Sequence, residues 1–460
     1  MAESAVDLTC EPLFEAACRM TRDARARLVR AFYEPPPAGE ARLTLDRPFV
    51  LPIGLEPARV HAALRDAQAF VRALVALEAH AYGPDGGDVL ARLMRSLEPG
   101  SVRLVEQCRY ESSESVRRRL RRMDAFLDPH SGVFSAIEVN QIAPLSFYWH
   151  DIDQRLAAHI LGELGFSYAP RRLAPRVFDW LAGELHARHP GRELRCVALV
   201  SEHGYEGKKE LPYLARSCEA AGRECGHDVA ILHAYPNEVR LAGGKPVVRG
   251  REVDIVWRQS VYLDPYPPSD VADYETICGH PEEHLIVNAA RSFLTASKDT
   301  FALLSAPRIV QKLALSPEDV RALGRVLPET VNLAHAPEER VRILENRPEW
   351  ISKPTDSSFG EGVEFGSLHT AASWGRLVDA RQDGRFVFQR RIPSPVLPWV
   401  EIAPDGEPRR RDVEFDFCPH HVDGEMAGTA TLRVHLHEPS FGDRAMNVAT
   451  GSFLTPFVTP

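Results

Sequence analysis

The 460-residue chain has no run of 18 consecutive apolar residues, so no membrane-spanning helix is expected. It has no basic excess: 55 Lys and Arg against 64 Asp and Glu leave a net charge of −9, which excludes a general bias toward nucleic acid or an anionic membrane. Basic residues do gather at Arg117–Arg122 and Arg409–Arg411, and both runs read as solvated faces. No two of the 8 cysteines form a C-x-x-C pair. Cys10, Cys18, Cys108, Cys196, Cys218, Cys225, Cys278 and Cys418 are therefore read as reduced thiols rather than a disulfide framework. The acidic start Met-Ala-Glu-Ser-Ala-Val-Asp has no long apolar stretch and is not expected to be a secretory leader, so the expected location is the cytoplasm. The absence of a G-x-S-x-G elbow argues against a Ser-His-Asp hydrolase. Cys418, His420, His421, His435 and His437 lie close in sequence but lack a standard zinc-ligand spacing. There is no internal repeat and no low-complexity segment.

What is present fits a chain of roughly three domains of ordinary size. Hydrophobic residues make up 44% and charged residues 26%, enough for a well-buried core. Residues 1–110 carry helical periodicity, clearest over 56–80 and 86–97, and Pro35–Pro37 separates the first helical stretch from the next. Residues 101–148 read as short strands, with Asp128-Pro-His-Ser-Gly132 turning Ala125–Leu127 back onto Phe134–Val139. Residues 195–260 alternate strand and helix: Cys196–Val200, a helix near 208–225, Asp228–Leu232, Val253–Trp257, and then Leu285–Val287. That alternation predicts a parallel sheet. Further on, a helix starts at Ser297-Lys298, 317–349 reads as helix with turns, and strands are expected near 350–353, 386–390, 413–418 and 428–437.

Three motifs carry chemistry. Arg122-Met-Asp124 is followed fourteen positions after the Asp by Glu138-Val-Asn140. On a strand Glu138 and Asn140 share a face because side chains alternate, and Asp124 joins them if the two strands pair through the turn. Two carboxylates and an amide oxygen suit a hard cation such as Mg²⁺, which also keeps phosphate oxygens and water. Arg122 lies on the same face as Asp124, where a forked, always-charged guanidinium suits charge developing on phosphate oxygens. Far downstream, Lys353-Pro leads into Asp356-Ser357-Ser358-Phe-Gly360-Glu361-Gly362, a lysine beside a glycine loop whose backbone N–H groups can approach phosphate.

Together these motifs resemble the ATP-grasp ligases. Here R-x-D…E-x-N precedes the Lys-Pro strand and glycine loop, the reverse of the usual order, as in circularly permuted members such as eukaryotic glutathione synthase, glutathionylspermidine-synthase-like enzymes and natural-product peptide ligases. The fold class implied is α/β (α+β, multidomain): a circularly permuted ATP-grasp fold with an inserted parallel α/β substrate domain and a lid. The implied domains are 1–170, a helical region plus the Mg-binding part of the core; 171–292, a Rossmann-like substrate unit; and 293–460, the lid and the rest of the core. By the resemblance, Arg122 is catalytic and Asp124, Glu138 and Asn140 hold metal. ATP contacts fall to Lys298, Lys353, Ser357, Ser358, Gly360, Gly362, and Gln389 and Ile392 of a hinge strand. Substrate contacts fall to Ser146, Arg258, Tyr262, Arg433 and Asn447. The sequence departs from glutathione synthase in two places. The glutamate that joins the metal in the Lys-Pro loop has only Asp356 or Glu361 as candidates, and the serine-containing run after E-x-N reads Gln141-Ile-Ala-Pro-Leu-Ser146-Phe.

The expected activity is an ATP- and Mg²⁺-dependent carboxylate–amine ligase working through an acyl phosphate and releasing ADP and phosphate. Its partners would be a small-molecule carboxylate and an amine (an amino acid, peptide or polyamine), with no nucleic acid, no membrane, and homodimerisation left open. The rival readings are a phosphotransferase and a decayed nucleotide-binding regulatory protein on the same fold.

Overall fold

The structure is a computed structural model that describes residues 9–33, 49–108, 110–142, 146–201, 211–259, 263, 266–357, 360–403, 405–437, 453–455 and 457–458. It is a mixed α/β molecule built on three larger sheets and their helices.

The largest sheet has seven strands and centres on the long strand Pro408–Val422. That strand pairs antiparallel with Glu425–Leu436 on one side, and with Val396–Ile402 on the other. Beyond Val396–Ile402 its far end, at His420 and His421, pairs instead with the strand Arg121–Leu127. The hairpin Arg121–Leu127/Phe134–Asn140 thus joins the sheet where the R-x-D and E-x-N motifs lie. Its turn forms because Asp128 accepts hydrogen bonds from the His130 and Ser131 backbone, and Gly132 takes φ 75°, which a side chain would disfavour. The chain alternates in this sheet. Phe415 and Phe417 face an apolar layer, where Phe417 meets Phe134 and Phe457 edge-on, and the alternate residues Asp416 and Cys418 face away from it. The 25-residue helix Pro57–Ala81 covers the core and packs on the helix Pro317–Val326.

The second sheet is parallel, in the order Ile286–Val287, Ile255–Arg258, Cys196–Val200, Ala230–Ala234. Cys196–Val200 is buried along its whole length, as a central parallel strand must be. The helix Ala174–Arg188 packs against it through Val177, Phe178 and Leu181. The third sheet is antiparallel, in the order Thr330–Val331, Phe386–Arg390, Trp350–Pro354, Glu364–Phe365, over a core of Trp350, Trp374 and Phe388.

The sequence reading needs four corrections. Residues 101–148 are not all strand: helices Pro99–Gln107 and Ser113–Arg118 occupy their first part, the second capped by the Ser112 hydroxyl on the Ser115 amide. Helices Ser146–Glu163 and Ala174–Arg188 fill a stretch left unread. The segment 317–349 holds a short strand, Thr330–Val331, between its helices. A three-stranded meander, Val239–Ala242, Lys245–Val248 and Arg251–Glu252, stands inside the α/β stretch.

Candidate functional site

The hairpin register decides the geometry. Arg122 pairs with Asn140 and Asp124 with Glu138 across the ladder. Directly opposed residues on neighbouring strands bring their side chains together. Arg122 grips Asp124 with two bonds, Nε to Oδ1 at 2.8 Å and Nη2 to Oδ2 at 3.2 Å, and Asn140 Nδ2 donates to Asp124 Oδ1 at 3.0 Å. From Glu425–Leu436, which also pairs with Pro408–Val422, Arg433 reaches Asp124 Oδ2 at 2.7 Å and Asp416 Oδ2 at 2.7 Å. Arg433 faces Asp416 directly in the register.

Two lysines approach from the other side. Lys298 Nζ stands 3.4 Å from Glu138 Oε1 and donates to the Ser357 carbonyl at 2.8 Å. Lys353 Nζ donates to Gln389 Oε1 at 2.6 Å and lies 3.4 Å from the Ile137 carbonyl. Residues as far apart in sequence as Arg122 and Arg433 therefore meet in one charged cluster.

The charges tune one another. Burial alone would raise the Asp124 carboxyl, but the Arg122 and Arg433 guanidinium groups outweigh it and hold Asp124 below the usual carboxylate range. At Asp416 burial wins over Arg433 and pushes the carboxyl up. Burial pushes Lys353 down to about 8, with Lys298 adding to the fall and Glu138 opposing it. Cys418 Sγ lies 3.4 Å from Asp416 Oδ1, and burial with the nearby carboxylates pushes its thiol far up, so it stays protonated.

The remaining expected residues fall as follows. The Gln389 side chain is engaged within the protein: its Oε1 accepts from Lys353 and its Nε2 donates to Thr330 Oγ1 at 3.2 Å. Ile392 follows that strand and is half-buried. Gly360 and Gly362 have φ 74° and 71°, and a Cβ on Gly362 would sit 2.7 Å from Pro354 Cγ, so the loop needs glycine there. Asp356 Oδ2 accepts from the Glu98 amide, and Glu361 is exposed. Arg258 is fully buried, with Nε on the Asn288 carbonyl at 2.8 Å and Nη2 on Ala289 O and Ser292 Oγ. Its Nη1 has no hydrogen-bond partner among the described residues. Tyr262, Ser358 and Asn447, and the side chain of Ser146, lie outside the described residues.

Among the described residues, Cys418, His420, His421, His435 and His437 form no metal-ligand cluster. His420 Nε2 meets Thr431 Oγ1 at 2.9 Å, His421 Nδ1 meets the Arg119 carbonyl at 3.0 Å, and His437 Nδ1 meets Glu414 at 2.6 Å. Sequence reasoning missed Asp416. Its signal was polar residues at every second position, Asp416, Cys418 and His420, in a strand whose alternate residues are Phe415 and Phe417.

No family model matches the sequence, and no curated protein matches it. Among solved structures, the chain is similar over 100% of both chains to a glutathione synthetase-like effector from Globodera pallida in its apo form, with TM-score 0.57 and 12% identity. A γ-glutamylcysteine synthetase-like protein from Methylobacillus flagellatus aligns over 81% of this chain and 88% of its own, at TM-score 0.45 and 13% identity. D-alanyl-alanine synthetase A from Vibrio cholerae aligns over 59% and 75%, at TM-score 0.32 and 9% identity. The last two scores are too low to carry an argument. The first shows a shared fold, and the resemblance to ATP-grasp-type ligases read from the motifs is shown at that level.

Proposed function

We propose that the chain is an ATP-dependent carboxylate–amine ligase on a circularly permuted ATP-grasp fold, with 171–292 as its substrate unit and 293–460 supplying the lid. The observation that carries this reading is the meeting of Arg122, Asp124, Glu138 and Asn140 with Lys298 and Lys353 in one cluster. Cations from three separate chain segments surround an acidic hairpin, which suits a polyphosphate with its divalent ion.

The donor set fits Mg²⁺. It is all oxygen, and among the described residues the ion pair of Glu138 is the 3.4 Å contact with Lys298, which leaves lone pairs for a cation. Glu138 and the Asn140 amide oxygen would hold the ion; Asp124, whose oxygens are engaged by two arginines, would orient those arginines beside it. When bound, the ion neutralises phosphate charge. The chain's own residues do the rest. Lys353 and Lys298 orient the phosphates. A substrate carboxylate oxygen attacks the γ-phosphorus, the bond to ADP breaks, and Arg122 stabilises the transferring group. The amine nitrogen then attacks the acyl carbon, the carbon–oxygen bond to phosphate breaks, and the amine proton leaves to solvent. Enclosure by the glycine loop of Gly360 and Gly362 keeps water from the acyl phosphate.

The test is a screen of amino acids, peptides and polyamines for ADP release with Mg²⁺, products read by mass. An amide plus ADP and phosphate is expected. A phosphorylated product would instead identify a phosphotransferase, AMP with pyrophosphate would identify adenylation, and turnover after thorough chelation would remove the metal from the scheme.

A further inference from the structure

Both strands of the charged hairpin end on the same side chain of a different unit. Leu120 precedes the strand that carries Arg122, and Gln141 follows Asn140 on its partner. Asn288, just past the strand Ile286–Val287 of the parallel sheet, donates Nδ2 to Leu120 O at 2.7 Å and to Gln141 O at 2.6 Å. Its Oδ1 accepts from the Leu120 amide at 3.0 Å. A primary amide offers two donors and an acceptor, and all are used here as a peptide group would use them. Asn288 is buried at 3% exposure, so no water substitutes for these bonds.

Asn288 is itself fixed from behind. Arg258 Nε holds the Asn288 carbonyl, its Nη2 holds Ala289 O and Ser292 Oγ, and its guanidinium lies over the Phe293 ring at 4.9 Å. On the hairpin side, Gln141 Oε1 accepts from Arg121 Nε at 2.9 Å and Gln141 Nε2 donates to Thr295 Oγ1 at 2.6 Å. The chain of contacts therefore runs from the end of Ile255–Arg258, through Arg258 and Asn288, to Leu120 and Gln141 at the ends of the hairpin strands that carry Arg122 and Asn140.

We infer that Asn288 is a positioning residue for the site: it splices the hairpin ladder to the parallel sheet, and Arg258 holds it in that pose. This deepens the ligase reading, on which its catalytic consequence rests, but the positioning itself does not require that reading. Asn288→Asp keeps the shape, loses both donors and sets a charge against two carbonyls. Asp254→Asn is the matched control, because Asp254 binds the Arg195 and Cys196 amides of the same sheet at its far end and does not touch the hairpin.

Hydrogen exchange read by mass on the ligand-free full chain is the first arm. With Asn288→Asp, amides in 119–127 and 134–141 are expected to exchange about tenfold faster or more, a loss of roughly one buried hydrogen bond's protection, with the Cys196–Val200 strand unchanged. Asp254→Asn is expected to reverse that pattern. The second arm is Mn²⁺ binding, with a non-hydrolysable ATP analogue, per folded molecule. Affinity is expected to fall about tenfold in Asn288→Asp and to hold in Asp254→Asn. If Asn288→Asp does not fold, Asn288→Ala, which adds no charge, and Ser292→Ala, which loosens Arg258, take its place in both arms. Equal exchange in the hairpin, or a lowered Tm with hairpin exchange and Mn²⁺ affinity unmoved, overturns the inference. Absence of ADP release from wild type, with the exchange result as expected, would instead count against the ligase reading alone.

Discussion

Two buried arginine–carboxylate clusters lie three residues apart in the sequence, and they differ in one respect that matters. Arg119 is forked onto Glu78 at 2.7 and 2.8 Å and onto Glu111, and the three side chains are only 2%, 3% and 1% exposed. Arg122 is forked onto Asp124 and leads to Glu138, yet its side chain is 21% exposed and that of Glu138 27%. The first cluster is closed on all sides. The second is closed below by Arg433 and Asp416 and open above. Pairing alone does not separate a structural network from a candidate ligand site; side-chain exposure is what differs between the two clusters.

Breaking each cluster should give opposite readouts. Arg119→Leu leaves two carboxylates buried with no cation between them, and losing one partner of a buried pair costs about 3–5 kcal/mol. Chemical denaturation should show that loss, while nucleotide affinity per folded molecule stays near wild type. Arg122→Leu leaves Asp124 still held by Arg433, so its stability should fall by less than at Arg119, by about 1.5–3 kcal/mol, the scale of a charge-assisted bond. A variant at Arg119 that loses turnover but not stability would erase the distinction.

Glu138→Gln sharpens the comparison from the open side. The amide keeps the shape, removes the charge, and weakens the contact with Lys298 and the pull on Lys353. Turnover should fall by about a hundredfold or more, as when a positioned electrostatic group is lost, with Tm nearly unchanged. Near-normal turnover at saturating ATP and substrates would show that the open face is not the reaction site. Lys353→Ala should be gentler and more selective: ATP binding weakens about tenfold, the scale of one charge-assisted bond, measured by calorimetry.

Much of this geometry was legible because it depends on short-range rules. Period-two alternation places Glu138 and Asn140 on one face, and the Asp128–Gly132 turn pairs Leu127 with Phe134; a bulge between Asp124 and Ala125 then shifts the register so that Asp124 lies opposite Glu138. The buried run Cys196–Val200 announced a parallel strand by its apolar continuity. What was not legible depends on partners distant in the chain. Asp416 matters because it faces Arg433, and Gln389 supports a lysine because Trp350–Pro354 and Phe386–Arg390 pair in one register. Arg258 looked like a carboxylate clamp at a strand's end, yet the carbonyls it binds belong to a loop thirty residues on. The helices Ser146–Glu163 and Ala174–Arg188 went unread for a different reason: both are buried on more than one side, which blurs the amphipathic period.

The smallest expected effect tests the open cluster by pH. Burial pushes Lys353 down from 10.5 to about 8, against the pull of Glu138 and Asp124. In the unfolded chain the lysine keeps its proton up to its ordinary value. Between about 8 and 10.5 the unfolded state therefore binds more protons, and stability rises with pH through that window; below about 8 the full penalty for a buried charge is present. Phosphate binding has the opposite sign, because it needs the charged form. Raising pH from 7 to 9 should weaken ATP binding by about tenfold, one pH unit beyond a group titrating near 8. Lys353→Met should remove both slopes, which separates them from the cysteine thiols that burial raises to about 11 and that ionise in this range only once the chain is unfolded. Parallel measurements of ligand-free Tm and ATP affinity on the two proteins settle it: the wild-type minus Met difference should rise with pH for Tm and fall for affinity. Two slopes of the same sign, or none, would mean that Lys353 is charged throughout and that the open face holds its cations as firmly as the closed cluster does.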